Sequence, residues 1–273
     1  MSSRSLPSSA KSTQKSAASA KDQPIDRALA VLEHVLDAPG RFSVAALAAE
    51  LELPLPSTAR LVAQLESRAL IRRPLGTRHL SPDTRLLALG LGAARAAFTT
   101  DAPHQLLVGL AAGLGEHCQI GVIRGTEVVY LDSARGARGA SLQFEPGEHV
   151  PIHCTSTGKL FLAELGDTAL ARFLGRRPLR RYTPSTITDP VKLIAQVKEV
   201  RRRGWAATDG EYATGVVGCA VSIRGRGDTM IASLAVAVPA ARTSFAAVHR
   251  FVPALREAAK AIGGAVEAAH SPR

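Results

Sequence analysis

The sequence predicts an α+β protein in two folded parts. A small, mostly helical N-terminal module precedes a larger domain in which helices flank antiparallel hairpins. Three observations carry this. Apolar residues recur at helical spacing through residues 24–69 and again near 100–116 and 244–262. Short apolar runs interrupted by glycine-containing turns occupy 119–131 and 218–238, the pattern of hairpins. Between residues 22 and 82 the charge reverses sign, which sets one small segment apart from the rest.

The chain has 273 residues with 34 Lys+Arg against 23 Asp+Glu, a net +11. Hydrophobic residues make up 46% and aromatics 4%, so the chain can bury a core built mainly of Ala, Leu and Val. Three dispersed cysteines, Cys118, Cys154 and Cys219, provide neither a disulfide framework nor a four-cysteine zinc site, which fits a reducing cytoplasm. No run approaches the ~18 apolar residues of a membrane span, and the start lacks the apolar core of a secretory signal.

Residues 1–21 carry eight serines, four basic residues and no acid, and read as a disordered basic tail. Residues 22–83 form the first predicted domain. Ile25, Leu29, Leu32 and Leu36 place a helix over 24–37, ended by Pro39-Gly40. Ser43 is the expected N-cap of a second helix with Val44, Leu47 and Leu51 inside. Two prolines in Leu53-Pro54-Leu55-Pro56 demand a turn, with Pro56 as the first position of a third helix reaching Ala69. Thr58, Leu61, Val62 and Leu65 form its buried side; Ser57, Ala59, Arg60, Ala63, Gln64 and Arg68 lie opposite.

A hairpin is then expected from Leu70–Arg73, a Pro74–Thr77 turn and Arg78–Leu80. Residues 22–52 hold two arginines against six carboxylates, whereas 53–82 hold five arginines against Glu66. A module that offers one element to a polyanion needs such a reversal; a solvated face does not. Helix, helix–turn–helix and basic hairpin is the order of a winged helix-turn-helix, whose third helix reads the major groove of double-stranded DNA. The expected DNA contacts are Ser43, Pro56, Ser57, Thr58, Ala59, Arg60 and Gln64, with Arg72, Arg73 and Arg78 on the wing.

Residues 84–100 read as a linker helix softened by Gly90 and Gly92, and 101–270 as the second domain. Its hairpins turn at Arg124-Gly125-Thr126 and at Arg224–Asp228. Its last helix, about Ser244 to Ile262, is expected to kink at Pro253.

These segments resemble the IclR family of bacterial transcriptional regulators. The matching residues are Arg27-Ala28-Leu29, Val31-Leu32-Glu33, Leu47-Ala48 with Leu51, Leu53 to Val62, Leu65-Glu66 and Leu89-Gly90. Further on they are His153 with Gly158-Lys159 and Leu162-Ala163, then Arg203-Gly204-Trp205-Ala206 with Glu211 and Gly215. The resemblance implies a GAF-like effector-binding domain after the linker helix. It also implies a homodimer or homotetramer on a pseudo-palindromic operator, with no cofactor and no enzyme activity. The effector pocket it implies is lined by Ser156, Thr157, Asp209, Val217, Cys219, Ala235 and Ala237, with Leu142 and Phe144 as an apolar wall.

On the residues alone, Gly158 would let backbone amides at a helix start approach a carboxylate. Ser156 and Thr157 serve equally as helix caps or as ligand contacts, and one residue can do both. By the family resemblance, some relatives that bind small hydroxy or keto acids carry serines where Ala235 and Ala237 stand. The alanines therefore point to a bulkier, less polar effector such as an aromatic acid.

Other chemistries are weaker. Ser156-x-x-Lys159 matches the nucleophile motif of penicillin-recognising hydrolases, but the Ser-Asp-Asn and Lys-Thr-Gly partners are absent. His149, His153, Cys154 and Cys219 are loosely spaced for a metal, and none is expected. The arginine groups at 172–181 and 201–203 read as helix surface packed on the effector domain. The alternative function is a GAF-like sensor or enzyme whose N-terminal module mediates protein contacts.

Overall fold

The computed structural model describes residues 23–99, 101–138, 144–175 and 178–269. The basic tail, Leu142, Arg176 and Arg177 lie outside the described residues. The chain divides into two compact units, Met1–Gly92 and Ala93–Arg273.

The first unit contains α1 (Pro24–Asp37), α2 (Val44–Glu50), α3 (Leu55–Ser67) and a two-stranded ribbon, β1 (Ile71–Arg72) with β2 (Ser81–Pro82). Val31, Val35, Phe42, Leu47, Val62, Leu65, Ile71 and Leu80 make its core. Ser43 caps α2 by accepting from the Ala46 amide at 3.2 Å. The third helix starts one residue earlier than expected, so Pro56 sits at the second helical position, where its missing N–H still costs no helical bond. Thr58 is fully buried, and its hydroxyl donates to the Pro54 carbonyl at 3.2 Å.

The wing differs from expectation. Its return strand is Ser81–Pro82, paired Ile71 to Pro82 and Arg72 to Ser81, not residues 78–80. Residues 79–80 bond instead to the segment entering α2: His79 bridges Ser43, and the Leu80 amide donates to the Phe42 carbonyl at 2.8 Å. Leu80 is apolar and fully buried, so it is drawn into the core and the turn lengthens. Helix α4 (Thr84–Phe98) follows as the expected linker helix.

In the second unit, α5 (Asp101–Leu114) leads to β3 (His117–Arg124) and β4 (Glu127–Arg135). After β5 (His149–Pro151) come α6 (Ser156–Glu164), α7 (Asp167–Leu174), α8 (Pro190–Arg203) and β6 (Ala206–Asp209). The chain ends with β7 (Val216–Arg224), β8 (Met230–Pro239), a 3-10 segment Phe245–Phe251 and α9 (Val252–Ala269). Pro253 therefore lies in the first turn of α9 and does not kink a longer helix.

The sheet runs β5-β4-β3-β8-β7-β6, each neighbouring pair antiparallel. Helices α5 and α9 pack on one face, and α6, backed by α7 and α8, on the other. Neither β5 nor β6 is expected from the sequence, because three- and four-residue strands carry too little periodicity to read. No helix of the described residues is long and apolar enough to cross a membrane.

Candidate functional site

In the first unit the exposed side of α3 presents Pro56, Ala59, Arg60 and Gln64, with Ser57 half-buried beside them. Thr58 is a correction: a side chain buried and bonded within its own helix cannot reach a base edge. Ser43 is half-buried and spends its hydroxyl on the α2 cap. The wing arginines Arg72, Arg73 and Arg78 are exposed, and Arg73 also pairs with Glu66 of α3 at 3.2 Å. The ion pair ties the base of the wing to the third helix.

In the second unit a cavity lies between the sheet and the start of α6. Its own volume is about 40 Å³, and it opens to solvent. Tyr130, Phe144 and Tyr212 supply aromatic surface, and Gln119, Thr155, Ser156, Thr208 and Glu211 supply polar groups. Gly218, Ala213, Val216, Ala237 and Cys154 complete the lining, with Val236 reaching it through its backbone.

Strand alternation decides which strand residues reach it. Gly218 pairs with Ala237, Ala220 with Ala235, and Gln119 with Ala235, so these share the α6 face. Val217 and Cys219 belong to the opposite face, where the Cys219 thiol donates to the Val248 carbonyl at 3.6 Å. Asp209 pairs with Val217 and is exposed; its neighbour Thr208, paired with Gly218, turns inward. Three expected contacts, Asp209, Val217 and Cys219, therefore miss the cavity by one residue of register. Ala235 is on the right face but packs under Leu160 and Val200 and adds no ligand space. Thr157 is buried against the sheet, where its methyl would be 3.1 Å from a Cβ at Gly121. Phe144, Ser156 and Ala237 do line the cavity.

The cap of α6 is neither Ser156 nor Thr157. Thr155 accepts from the Gly158 amide at 3.2 Å, which leaves Ser156 in the first turn facing the cavity. Gly158 serves packing rather than ligand approach, since a Cβ there would overlap the Ile152 carbonyl. Backbone amides at a helix start and their dipole favour an anion at this end of the cavity.

One turn along α6, Lys159 is fully buried and bonds Glu211 at 2.5 Å and Gln196 at 2.6 Å. Burial dominates both charges: it holds the Lys159 ammonium below its ordinary value and the Glu211 carboxyl above its own. Thr183 and Thr186 donate to the Glu211 carbonyl at 3.3 and 2.6 Å and fix that backbone. The family resemblance includes Glu211 without giving it a role, and it does not reach Gln119, Tyr130, Thr208 or Tyr212. Only the sheet register brings these together.

The rival chemistries find no support in the geometry. Lys159 is committed to Glu211 and Gln196. His153 donates to the Arg180 carbonyl at 2.9 Å, and His149 pairs with Glu127. Burial pushes the thiols of Cys154 and Cys219 up to about 12, far from a reactive thiolate. Among the described residues no group of three or more His, Cys, Asp or Glu is placed to hold a metal. Arg201 holds the Ala163 and Leu165 carbonyls with Asp167, Arg202 pairs with Glu199, and Arg203 stacks on Trp205 at 3.8 Å. That run is engaged within its own domain.

Residues 24–74 match the IclR helix-turn-helix domain, and residues 100–263 match the C-terminal domain of the bacterial transcriptional regulator IclR. A curated relative from Cupriavidus necator, described as "Probable transcriptional regulator SauR", is 35% identical over 85% of this chain and 92% of its own length. An IclR homolog from Microbacterium hydrocarbonoxydans, solved in complex with 4-hydroxybenzoate, is 26% identical with a TM-score of 0.57, covering 90% of this chain and 100% of its own. The inducer-binding domain of PobR from Acinetobacter, a double mutant in complex with 3-hydroxybenzoic acid, is 25% identical with a TM-score of 0.54, covering 57% of this chain and 92% of its own. The chain belongs to the IclR family of transcriptional regulators, with an N-terminal helix-turn-helix domain that binds DNA and a C-terminal domain that binds an effector.

Proposed function

We propose that this protein is a cytoplasmic regulator of a catabolic operon whose effector is an aromatic carboxylic acid. The observation that carries the reading is the cavity: three aromatic side chains, Tyr130, Phe144 and Tyr212, beside the amide end of α6. Ring faces suit a flat apolar body, and the helix start suits a carboxylate. Two relatives solved with hydroxybenzoates support the same class.

The regulator acts as a homodimer or a homotetramer on a pseudo-palindromic operator, because one winged module makes too few contacts for useful specificity. Ile25, Leu29 and Leu36 of α1 are 68%, 50% and 48% exposed and follow one helical stripe, which suits burial against a second copy. Arg60 and Gln64 read base edges, and Arg72, Arg73 and Arg78 hold phosphates. Effector binding changes operator affinity through the linker helix α4, and by linkage the operator changes effector affinity by the same factor. The test is a gel shift on the promoter beside the gene, with and without benzoate or a hydroxybenzoate. Retardation that no aromatic acid alters overturns the effector class. Absence of salt-sensitive binding to any duplex favours the protein-contact alternative.

A further inference from the structure

The cavity holds two acceptor atoms that the fold leaves unserved. Glu211 is 5% exposed and Gln119 is 4% exposed, and both line the cavity. Glu211 gives one carboxylate oxygen, Oε1, to Lys159; its other oxygen, Oε2, is buried with no hydrogen-bond partner. Gln119 Oε1 is likewise buried without a hydrogen-bond partner. A buried acceptor left unpaired costs free energy, and more so when it is charged. The bond to Lys159 fixes the Glu211 carboxylate, so Oε2 cannot swing away to find a donor elsewhere. Two ionised carboxylates repel at that point, so the ligand's own carboxylate belongs at the α6 start and a hydrogen-bond donor meets Glu211.

We infer that Glu211 Oε2 and Gln119 Oε1 set the specificity of the cavity, and that its ligand is an acid which also carries a hydrogen-bond donor, a hydroxyl or an amine, to fill them. The inference rests on the effector reading above for its site, but not on the ligand being aromatic. A site built to receive a donor rejects the analogue that lacks it far more strongly than an apolar pocket rejects a missing methylene.

The experiment is calorimetry on the full chain with matched pairs: benzoate against 3- and 4-hydroxybenzoate, and cyclohexanecarboxylate against 4-hydroxycyclohexanecarboxylate. The hydroxylated member of a pair is expected to bind roughly ten- to a hundredfold tighter. In Glu211→Gln, where an amide replaces the acceptor, that ratio should fall to within about threefold. Because Glu211→Gln also strips Lys159 of its counter-charge, Gln119→Met provides a second variant that leaves the ion pair intact, and it should narrow the same ratio. Equal affinity within both pairs of the wild-type protein overturns the inference, since the acceptors are then served by solvent. A preserved ratio in both variants overturns the assignment to these residues. Discrimination confined to the alicyclic pair, with no aromatic acid bound, sustains the inference and overturns the aromatic reading. Binding of no acid in either class overturns both.

Discussion

The two faces of the effector-domain sheet are built from the same strands and differ in what they leave empty. Toward α9, Cys118, Val217, Cys219, Leu234, Val236 and Val238 are buried at 0–1% exposure and fill the space. Toward α6, the same strands place His117, Gln119, Gly121, Gly218 and Ala237, which are small or polar. One face is core; the other is core around Ala220 and Ala235 and the roof of a cavity beside Gln119, Gly218 and Ala237. Strand alternation makes this possible, because neighbouring residues of one strand serve opposite faces. Size and polarity at every second position then separate stability from binding.

Substitutions can break that division. The largest effect is expected from Lys159→Ala, which abandons the Glu211 carboxylate in a buried site; about 3–5 kcal/mol of unfolding free energy should be lost in a urea titration. Leu234→Ala, on the filled face, should cost about 2–5 kcal/mol by the same measurement while leaving effector affinity per folded molecule unchanged. Gly218→Val should do the reverse. A Cβ there lies 3.3 Å from the Val236 carbonyl and 3.6 Å from both Ser156 Oγ and Thr208 Oγ1, so added methyls press on the neighbouring strand and occupy ligand space. Calorimetry should show at least about a tenfold loss of affinity, with a smaller change in stability than Leu234→Ala produces. If Gly218→Val binds effector normally, the cavity is in the wrong place.

The DNA-binding unit offers a smaller contrast of the same kind. Arg60→Ala or Gln64→Ala should cost about 1–3 kcal/mol of operator discrimination in competition gel shifts. Arg73→Ala should weaken all duplexes alike and reduce the salt slope by about one. The smallest effect is in pH. Burial holds His117 and His153 below their ordinary value near 6.5. Both therefore fold best neutral: stability is full above about pH 6.5 and declines as pH falls from there toward the folded values. Thermal melts between pH 7.5 and 5.5 should show the decline, and His117→Phe should flatten it.

Much of the helical unit is legible in the sequence. Ile25 to Leu36, the Ser43 cap and the prolines before Ser57 are local signals, and each acts within one turn of helix. Thr58 shows the limit: its type suits a base contact, but its place in the apolar stripe with Leu61, Val62 and Leu65 buries it. The wing return departs from its expected place because Leu80 is drawn into a core assembled from residues 31–71, which no local pattern reveals. In the effector domain both hairpins are readable from their turns. Their register is not, and Asp209, Val217 and Cys219 each sit one residue away from an inward position. Those three come from the family resemblance, which carries no register; the cross-strand pairs Gly218 with Ala237 and Thr208 with Gly218 set it.

The sequence by itself determined the order of helices and hairpins, the family, and the sign change that marks the DNA-reading module. The elements and the sign change are consequences of periodicity, capping and charge, and the family of short motifs that it resembles; all of these act over short stretches of chain. Only the tertiary structure decided that Gln119, Tyr130, Thr208, Glu211 and Tyr212 meet around Ser156 and Gly218. That meeting depends on pairing between strands as far apart as residues 117 and 237, and a shift of one residue turns every side chain to the other face.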